Sequence, residues 1–341
     1  MSESWNLTRR KFLTATSCFG ATWALQKQFP LPALAEALEQ DPRVVQQPLV
    51  DKGFAAVRKV GNGVYATISD FSKGGETISN GGFLIGRDAA LLVEGFRTPA
   101  GAAFQMETLR SVSQVPVRAA IDTHYHFDHS LGNAHYGAQG IPVWAHAKTG
   151  PLMVQNYANI QGQDHSSILE GLQKKVRDAA NGTERQRAQG DLGAYTLVLQ
   201  TVDAASVSLP NHPLDPAKLP MTVDLGGMNT VIETHPGHTS ADLIVRAPEQ
   251  NIIFTGDLLF NAWYPVAFDA DIRAWRATLA KFATFGKDAL FVPGHGQVCG
   301  QEGIATLRAV FDDLADRALR LYKAGVPVEE AQKRYVPNWD I

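Results

Sequence analysis

Within the six residues His124-Tyr125-His126-Phe127-Asp128-His129 the chain gathers three imidazoles and a carboxylate, spaced H-x-H-x-D-H. This cluster constrains the fold more than any other stretch. Imidazole nitrogens and carboxylate oxygens are the donors that suit zinc and its first-row neighbours. The preceding Val117-Arg118-Ala119-Ala120-Ile121-Asp122 reads as a strand running into a loop. At a strand end, residues i and i+2 project the same way. His124 and His126 can therefore converge on one ion, while Asp128 and His129, one turn further on, reach a second.

Three later segments have the same design, a β-rich run followed by a metal-type ligand beside glycine. His238 stands in Thr234-His235-Pro236-Gly237-His238-Thr239, after Thr230-Val231-Ile232. Asp257 stands in Phe254-Thr255-Gly256-Asp257, after Asn251-Ile252-Ile253-Phe254. His295 stands in Val292-Pro293-Gly294-His295-Gly296, after Ala289-Leu290-Phe291-Val292. The glycines let the backbone turn sharply at each ligand.

Together the four motifs, in this order over about residues 55–300, resemble the metallo-β-lactamase superfamily. The resemblance implies a dinuclear site. His124, His126 and His238 would hold metal one; Asp128, His129 and His295 would hold metal two; Asp257 would bridge them. Two zinc ions per chain are expected, with manganese or iron compatible with an all-nitrogen-and-oxygen site. Many β-lactamases of this fold place cysteine or another residue at the bridging position. Aspartate there resembles the glyoxalase II, lactonase and phosphodiesterase branches, which counts against antibiotic hydrolysis as the native role. His135, His146, His165, His212 and His235 read as surface or packing histidines. His165 is the one most open to a role at an active-site mouth.

Strands are expected at Val57–Val60, Val64–Ser69, Gly82–Ile85, Ala89–Val93, Val117–Asp122 and Val143–Ala145 in the first half. A second set is expected at Val198–Val202, Met221–Asp224, Thr230–Thr234, Leu243–Ala247, Ile252–Thr255 and Leu290–Pro293. Helices fit Ala100–Val112, the neighbourhood of Leu131–Tyr136, Ile272–Phe282 and Gly303–Ala324. The fold class is α/β. The resemblance implies a four-layer αβ/βα sandwich with ligands on loops at one edge of the paired sheets. This domain is expected over residues 55–325, after an N-terminal extension at 36–54 and before a tail at 326–341. The stretch 148–190 breaks the β pattern: Ile168, Leu169, Leu172 and Val176 have helical spacing. It reads as a helical insertion, either packed on the sandwich or capping the metal site.

The N-terminus reads as an export signal. Leu7-Thr8-Arg9-Arg10-Lys11-Phe12-Leu13 resembles a twin-arginine leader, an apolar run follows, and Ala33-Leu34-Ala35 offers a cleavage site. The run is too short to span a bilayer. A periplasmic location is expected after cleavage near Ala35. Removing residues 1–35 leaves 27 basic and 33 acidic residues, a net charge of −6. That argues against nucleic acid as a partner, since phosphate binding needs clustered Lys and Arg. Cys18 leaves with the leader, so Cys299 remains alone and no internal disulfide can form.

Two cations side by side lower the pKa of a shared water and stabilise an oxyanion. The expected enzyme is a periplasmic dinuclear zinc hydrolase, in which hydroxide held between the metals attacks a small ester, lactone or lactam. Asp128 is expected to orient the nucleophile and relay its proton. Leu258-Leu259-Phe260-Asn261-Ala262-Trp263-Tyr264-Pro265 reads equally as the lining of an apolar pocket, with Asn261 or Tyr264 as an oxyanion donor, and as a hydrophobic loop anchoring the following helix. One alternative is an iron enzyme of the persulfide dioxygenase kind. Another is a glyoxalase II-like thioesterase, although the 46 residues after His295 fit one long helix and a tail rather than a glutathione-gripping domain. The full set of ligands argues against a purely binding protein.

Overall fold

A computed structural model describes residues 42–201, 207–263 and 265–334. The expected leader and Tyr264 lie outside the described residues. The first sheet has eight strands lying side by side in chain order. They are β1 (Val50–Asp51), β2 (Ala55–Gly61), β3 (Val64–Ser69), β4 (Gly81–Ile85), β5 (Ala90–Val93), β6 (Val117–Ile121), β7 (Val143–His146) and β8 (His212–Leu214). Pairing is antiparallel from β1 to β5 and parallel from β5 to β8. The change follows from the connections, because parallel neighbours need a crossover. Helix α1 (Pro99–Val112) crosses between β5 and β6. Its N-terminus is fixed by Thr98, whose side chain accepts from Gly101 N, with Pro99 at the first helical position.

The second sheet runs β13-β12-β11-β10-β9. It comprises β9 (Met221–Asp224), β10 (Asn229–Thr234), β11 (Leu243–Ala247), β12 (Ile252–Asn261) and β13 (Leu290–Gly296). Only β12 and β13 pair in parallel, joined through the helix Ile272–Phe282.

Period-two alternation along the strands builds the layers. In β5, Leu91 and Val93 face the second sheet while Ala90 and Leu92 face α1. Ile252, Phe254, Leu290 and Val292 point between the sheets, whereas Ile253 and Phe291 point outward. The outward set packs under the helices Ile272–Phe282 and Gln301–Lys323 through Trp275, Leu279, Phe282, Ile304, Leu307 and Phe311. Three apolar cores thus separate four layers, αβ/βα, as the sequence implied.

The departures are local. Val198–Val202 was expected as a strand; instead the backbone is helical to Thr201, the end of a helix that begins at Gly182. A strand forms only where an edge is free to pair, and β7 pairs with His212–Leu214 instead. That three-residue strand contains Pro213, which an edge strand tolerates. The insertion is helical, as expected, and consists of Thr149–Gln161, Ser166–Asp178 and Gly182–Thr201. The first carries Met153 and Tyr157 into a core with Tyr125 and Leu131, directly behind the histidine-rich loop. The second buries no residue. After the long helix Gln301–Lys323 the expected tail begins with a further helix, Val328–Arg334. No helix among the described residues is long and apolar enough to cross a membrane.

Candidate metal centre

The site forms where the ends of β6, β10, β12 and β13 meet. His124 and His126 lie on the loop after β6, and Asp128 and His129 on the single helical turn Phe127–Ser130. His238 lies on the loop between β10 and β11. That loop is clamped by Asp242, whose carboxylate accepts from Thr239 N at 2.8 and 3.0 Å and from Thr239 Oγ1. Asp257 and His295 were expected after their strands; both stand within them, because β12 and β13 continue through an irregular register. Gly256, at φ +51°, allows this: a Cβ there would lie 2.2 Å from Thr123 Oγ1. Gly294 leaves the space that Asp257 fills, since its Cβ would lie 2.0 Å from Asp257 Oδ1. The two sheets are stitched beside the site. Asn80 Nδ2 donates to Pro293 O (3.0 Å) and Gly296 O (2.7 Å), and Leu243 N donates to Thr123 O (2.7 Å).

All seven residues expected to hold metal are brought together and are buried. They fall into two groups, His124, His126, His238 and Asp257, and Asp128, His129 and His295. In the first, His126 Nδ1 lies 3.1 Å from His124 Nε2 and 2.9 Å from His238 Nε2. A tetrahedral zinc with bonds of about 2.0–2.1 Å spaces its donors roughly 3.3 Å apart. Asp257 faces both groups. Its Oδ2 is 3.4 Å from His238 Nε2 and 3.8 Å from His124 Nε2. Its Oδ1 is 3.1 Å from His129 Nε2 and 3.4 Å from His295 Nε2. Asp128 Oδ2 completes the second group, 3.2 Å from His295 Nε2 and 3.6 Å from His129 Nε2.

The outer ring nitrogens decide which inner ones are free. His238 Nδ1 donates to Val266 O at 3.0 Å, so its Nε2 carries a lone pair inward. Thr123 Oγ1 donates to Glu94 Oε1 (2.5 Å), and its own lone pair takes His124 Nδ1–H at 3.1 Å. His126 turns the other way, giving Nε2–H to Asp269 Oδ2 (3.2 Å) and presenting Nδ1. His129 Nδ1 stands 3.1 Å from the buried Glu94 Oε1. Three imidazole lone pairs face one another, and His129 Nε2 and Asp257 Oδ1, buried 3.1 Å apart, make no well-aligned hydrogen bond; a cation between the groups would satisfy all of them. The residues present therefore fit metal.

The electrostatics divide along the same line. Burial drives His124 well below the ordinary histidine range and His238 down to about 3, so both are neutral donors. Burial opposes charge on His295 as well, but Asp257 and Asp128 outweigh it and raise His295 to about 9. Burial works against the Asp128 carboxylate, yet His129 and His295 hold it down to about 2. In the metal-free protein the second group is thus a charged network whose protons a cation would displace. Arg97 lies behind it, fully buried, with all three guanidinium nitrogens unpartnered. Burial lowers it to about 10 against the pull of Asp128 and Glu76.

Neither group includes the other five histidines. His165, the possible exception, lies between Tyr195 Oη (2.7 Å) and Ile160 O (2.5 Å) within the insertion. Asn261 Nδ2 gives one of its two hydrogens to Gln297 O (2.9 Å). Leu258, Leu259 and Phe260 are core residues rather than pocket lining. Sequence reasoning missed Glu94, Thr123 and Asp269. An isolated acid at the end of Ala90-Leu91-Leu92-Val93 was a signal for Glu94; nothing local marked Asp269.

Comparison with known proteins agrees with this geometry. A family model described as the metallo-beta-lactamase superfamily matches residues 74–295. A hydroxyacylglutathione hydrolase of Legionella pneumophila (strain Paris) is 29% identical over 85 residues, 25% of this chain and 34% of the relative. The chain thus matches about a third of that protein's length. Among solved structures, the metallo-beta-lactamase FIM-1 from Pseudomonas aeruginosa, in its mono-zinc form, is 21% identical with a TM-score of 0.54, covering 79% of this chain and 99% of that one. A metallo-beta-lactamase from Pontibacter korlensis is 17% identical with a TM-score of 0.50, covering 78% and 98%. At these identities the structures speak for the fold alone. The family match, however, runs through both sheets and every residue of the two ligand groups, and the chain belongs to the metallo-beta-lactamase superfamily of metal-dependent hydrolases.

Proposed function

We propose that the protein is an exported dinuclear zinc hydrolase acting on a small ester, lactone or lactam. One observation carries this reading: the two oxygens of Asp257 face different ligand groups, Oδ2 toward His124 and His238 and Oδ1 toward His129 and His295. A single carboxylate shared in this way suits two like-charged cations held close together. Two bound divalent ions supply a water of lowered pKa and positive charge where an oxyanion develops.

The chain's own residues do the rest. Asp128, ionised and facing His295 and His129, orients the attacking water and takes its proton at a carboxylate oxygen. Aromatic rings flank the mouth. Phe268 lies 5.1 Å from the His126 ring, Trp263 lies 5.3 Å from His295, and Phe71 packs on Trp263 at 4.8 Å. They favour a substrate with an apolar portion. Elemental analysis of protein loaded with excess zinc should give two ions per chain, and the loaded protein should hydrolyse members of an ester, lactone, lactam and thioester panel. One ion at saturation would end the dinuclear reading, and one iron with dioxygen uptake would point to the oxidative alternative.

A second reading, thioester hydrolysis, draws on the local similarity to a hydroxyacylglutathione hydrolase. Preference for thioesters in the panel would favour it. The Arg9-Arg10 pair and the Ala33-Leu34-Ala35 site motivate export of the folded, metal-loaded chain to the periplasm. Replacing both arginines with lysine should leave the protein in the cytoplasm, which cell fractionation would show.

A further inference from the structure

Three of the contacts that hold the metal-one histidines come from one short segment, residues 265–271, between β12 and the helix Ile272–Phe282. Val266 O accepts from His238 Nδ1 at 3.0 Å. Asp269 Oδ2 accepts from His126 Nε2 at 3.2 Å. Asp271 N donates at 3.0 Å to the carbonyl of Gly237, the residue before His238. Asp269 is itself gripped by Tyr125, whose hydroxyl donates to the same oxygen. Tyr125 is buried on the histidine loop, and burial together with Asp269 keeps its hydroxyl protonated and donating. The same segment carries Phe268, 40% exposed, with its ring beside His126.

The arrangement couples two functions. Residues 265–271 make little core of their own: Val266 and Ala270 only flank the outer core, and Phe268 and Asp269 are partly open to solvent. Two of the hydrogen bonds that fasten the segment go to the outer nitrogens of imidazoles, beside those from Tyr125 Oη to Asp269 and from Asp271 N to Gly237 O. Those rings are fixed when their inner nitrogens hold an ion, and left among repelling lone pairs when they do not. An acceptor behind a metal-binding histidine also sets its orientation and basicity.

We infer that Asp269 is a positioning residue for metal one, and that residues 265–271 form a substrate-facing loop whose order depends on occupancy of that site. This rests on the metal-binding reading given above. It assigns the loop a role that the ligands alone do not: specificity at Phe268 is assembled only on the loaded enzyme. An apolar substrate would meet its binding surface only where the reacting cations are already in place.

The test uses the full chain and zinc itself. Hydrogen exchange of residues 265–271, the Asp271 amide above all, is followed as zinc is titrated into metal-free protein, with chelator competition giving the affinity of the first ion. In the wild type, zinc should slow exchange in this segment about tenfold or more. In Asp269→Asn the first zinc should bind about 10–100-fold more weakly, and the segment should exchange faster than in the zinc-loaded wild type. Tyr125→Phe should give the same change in smaller measure. A purely structural role would lower stability without making loop exchange depend on zinc. Zinc that binds the wild type but leaves exchange in 265–271 unchanged would overturn the inference, as would wild-type zinc affinity in Asp269→Asn. A wild type that binds no zinc would instead refute the metal reading beneath it. Should Asp269→Asn fail to fold, the wild-type titration still decides.

Discussion

At the scale of single residues, charge and geometry separate the two ligand groups. The first is three imidazoles, of which burial keeps His124 and His238 neutral, with Asp257; the second holds Asp128 and the raised His129 and His295. Asp128 belongs to the second and has a proposed job that its shape alone cannot do. Asp128→Asn keeps the side chain's size but removes its charge and basicity. With zinc in excess it should lower kcat by about 10²–10⁴-fold, the usual cost of losing a positioned general base, with a smaller change in KM. Steady-state kinetics on a substrate from the panel, with metal content measured in parallel, checks this. Wild-type kcat with both ions bound would remove Asp128 from the chemistry.

At the scale of elements, strand pairing places the site and also carries its own ionic support. Glu233 on β10 meets Arg246 on β11 at 2.6 Å, diagonally across the pair, and accepts from His235 Nε2 at 2.9 Å. The hydrogen bond from His235 leads the effects on Glu233; burial opposes it, Arg246 adds to it, and the carboxyl is held down to about 2. A depressed carboxylate contributes stability that is fully present above its unfolded value of about 4.3 and is lost as pH falls through its folded value. The stability gap between metal-free wild type and Glu233→Gln should therefore be widest above about pH 4.5 and close toward pH 2. Urea midpoints across that range would show it, and a gap independent of pH would mean the pair is not ionic. The insertion divides at the same scale. Its first helix braces the histidine loop, with Tyr157 Oη 3.0 Å from Ser130 Oγ, whereas Ser166–Asp178 buries nothing.

At the scale of the whole molecule, the ligands come from both sheets, so bound ions would tie the sheets together at one edge. A ligand at 100 times its dissociation constant adds about 2.7 kcal/mol to the folded state. For a domain of this size, chelation should lower the melting temperature by roughly 5–10 °C, and zinc should restore it. Calorimetry would show this; an unchanged melting temperature would mean that the cores between the layers close the sandwich unaided. Much of that architecture was legible in the chain. His124, His126, Asp128 and His129 are neighbours, so their spacing could be read as shared geometry, and Leu91, Val93, Ile252 and Phe254 alternate with the period of a two-faced strand. The three remaining ligands each follow an apolar run beside glycine, a local mark. What stayed hidden was non-local. Residues 198–202 have the composition of a strand, but whether a run becomes a strand depends on which edge is free, and β7 paired with His212–Leu214. Asp257 and His295 proved to lie inside longer strands because Gly256 admits Thr123 from the facing sheet's loop and Gly294 admits Asp257 from the neighbouring strand. Glu94, Asp269 and the Val266 carbonyl set which nitrogen each histidine presents, and no spacing rule joins Asp269 to His126 across 143 residues. The sequence by itself determined the ligand types, their order and most strand faces, since these depend on residue chemistry and short-range periodicity, and the layered fold followed from the family resemblance those motifs carry. The tertiary structure decided which nitrogen each histidine presents, how closely the two ligand groups approach and how residues 265–271 attach behind them, since these depend on groups that meet only when the sheets close.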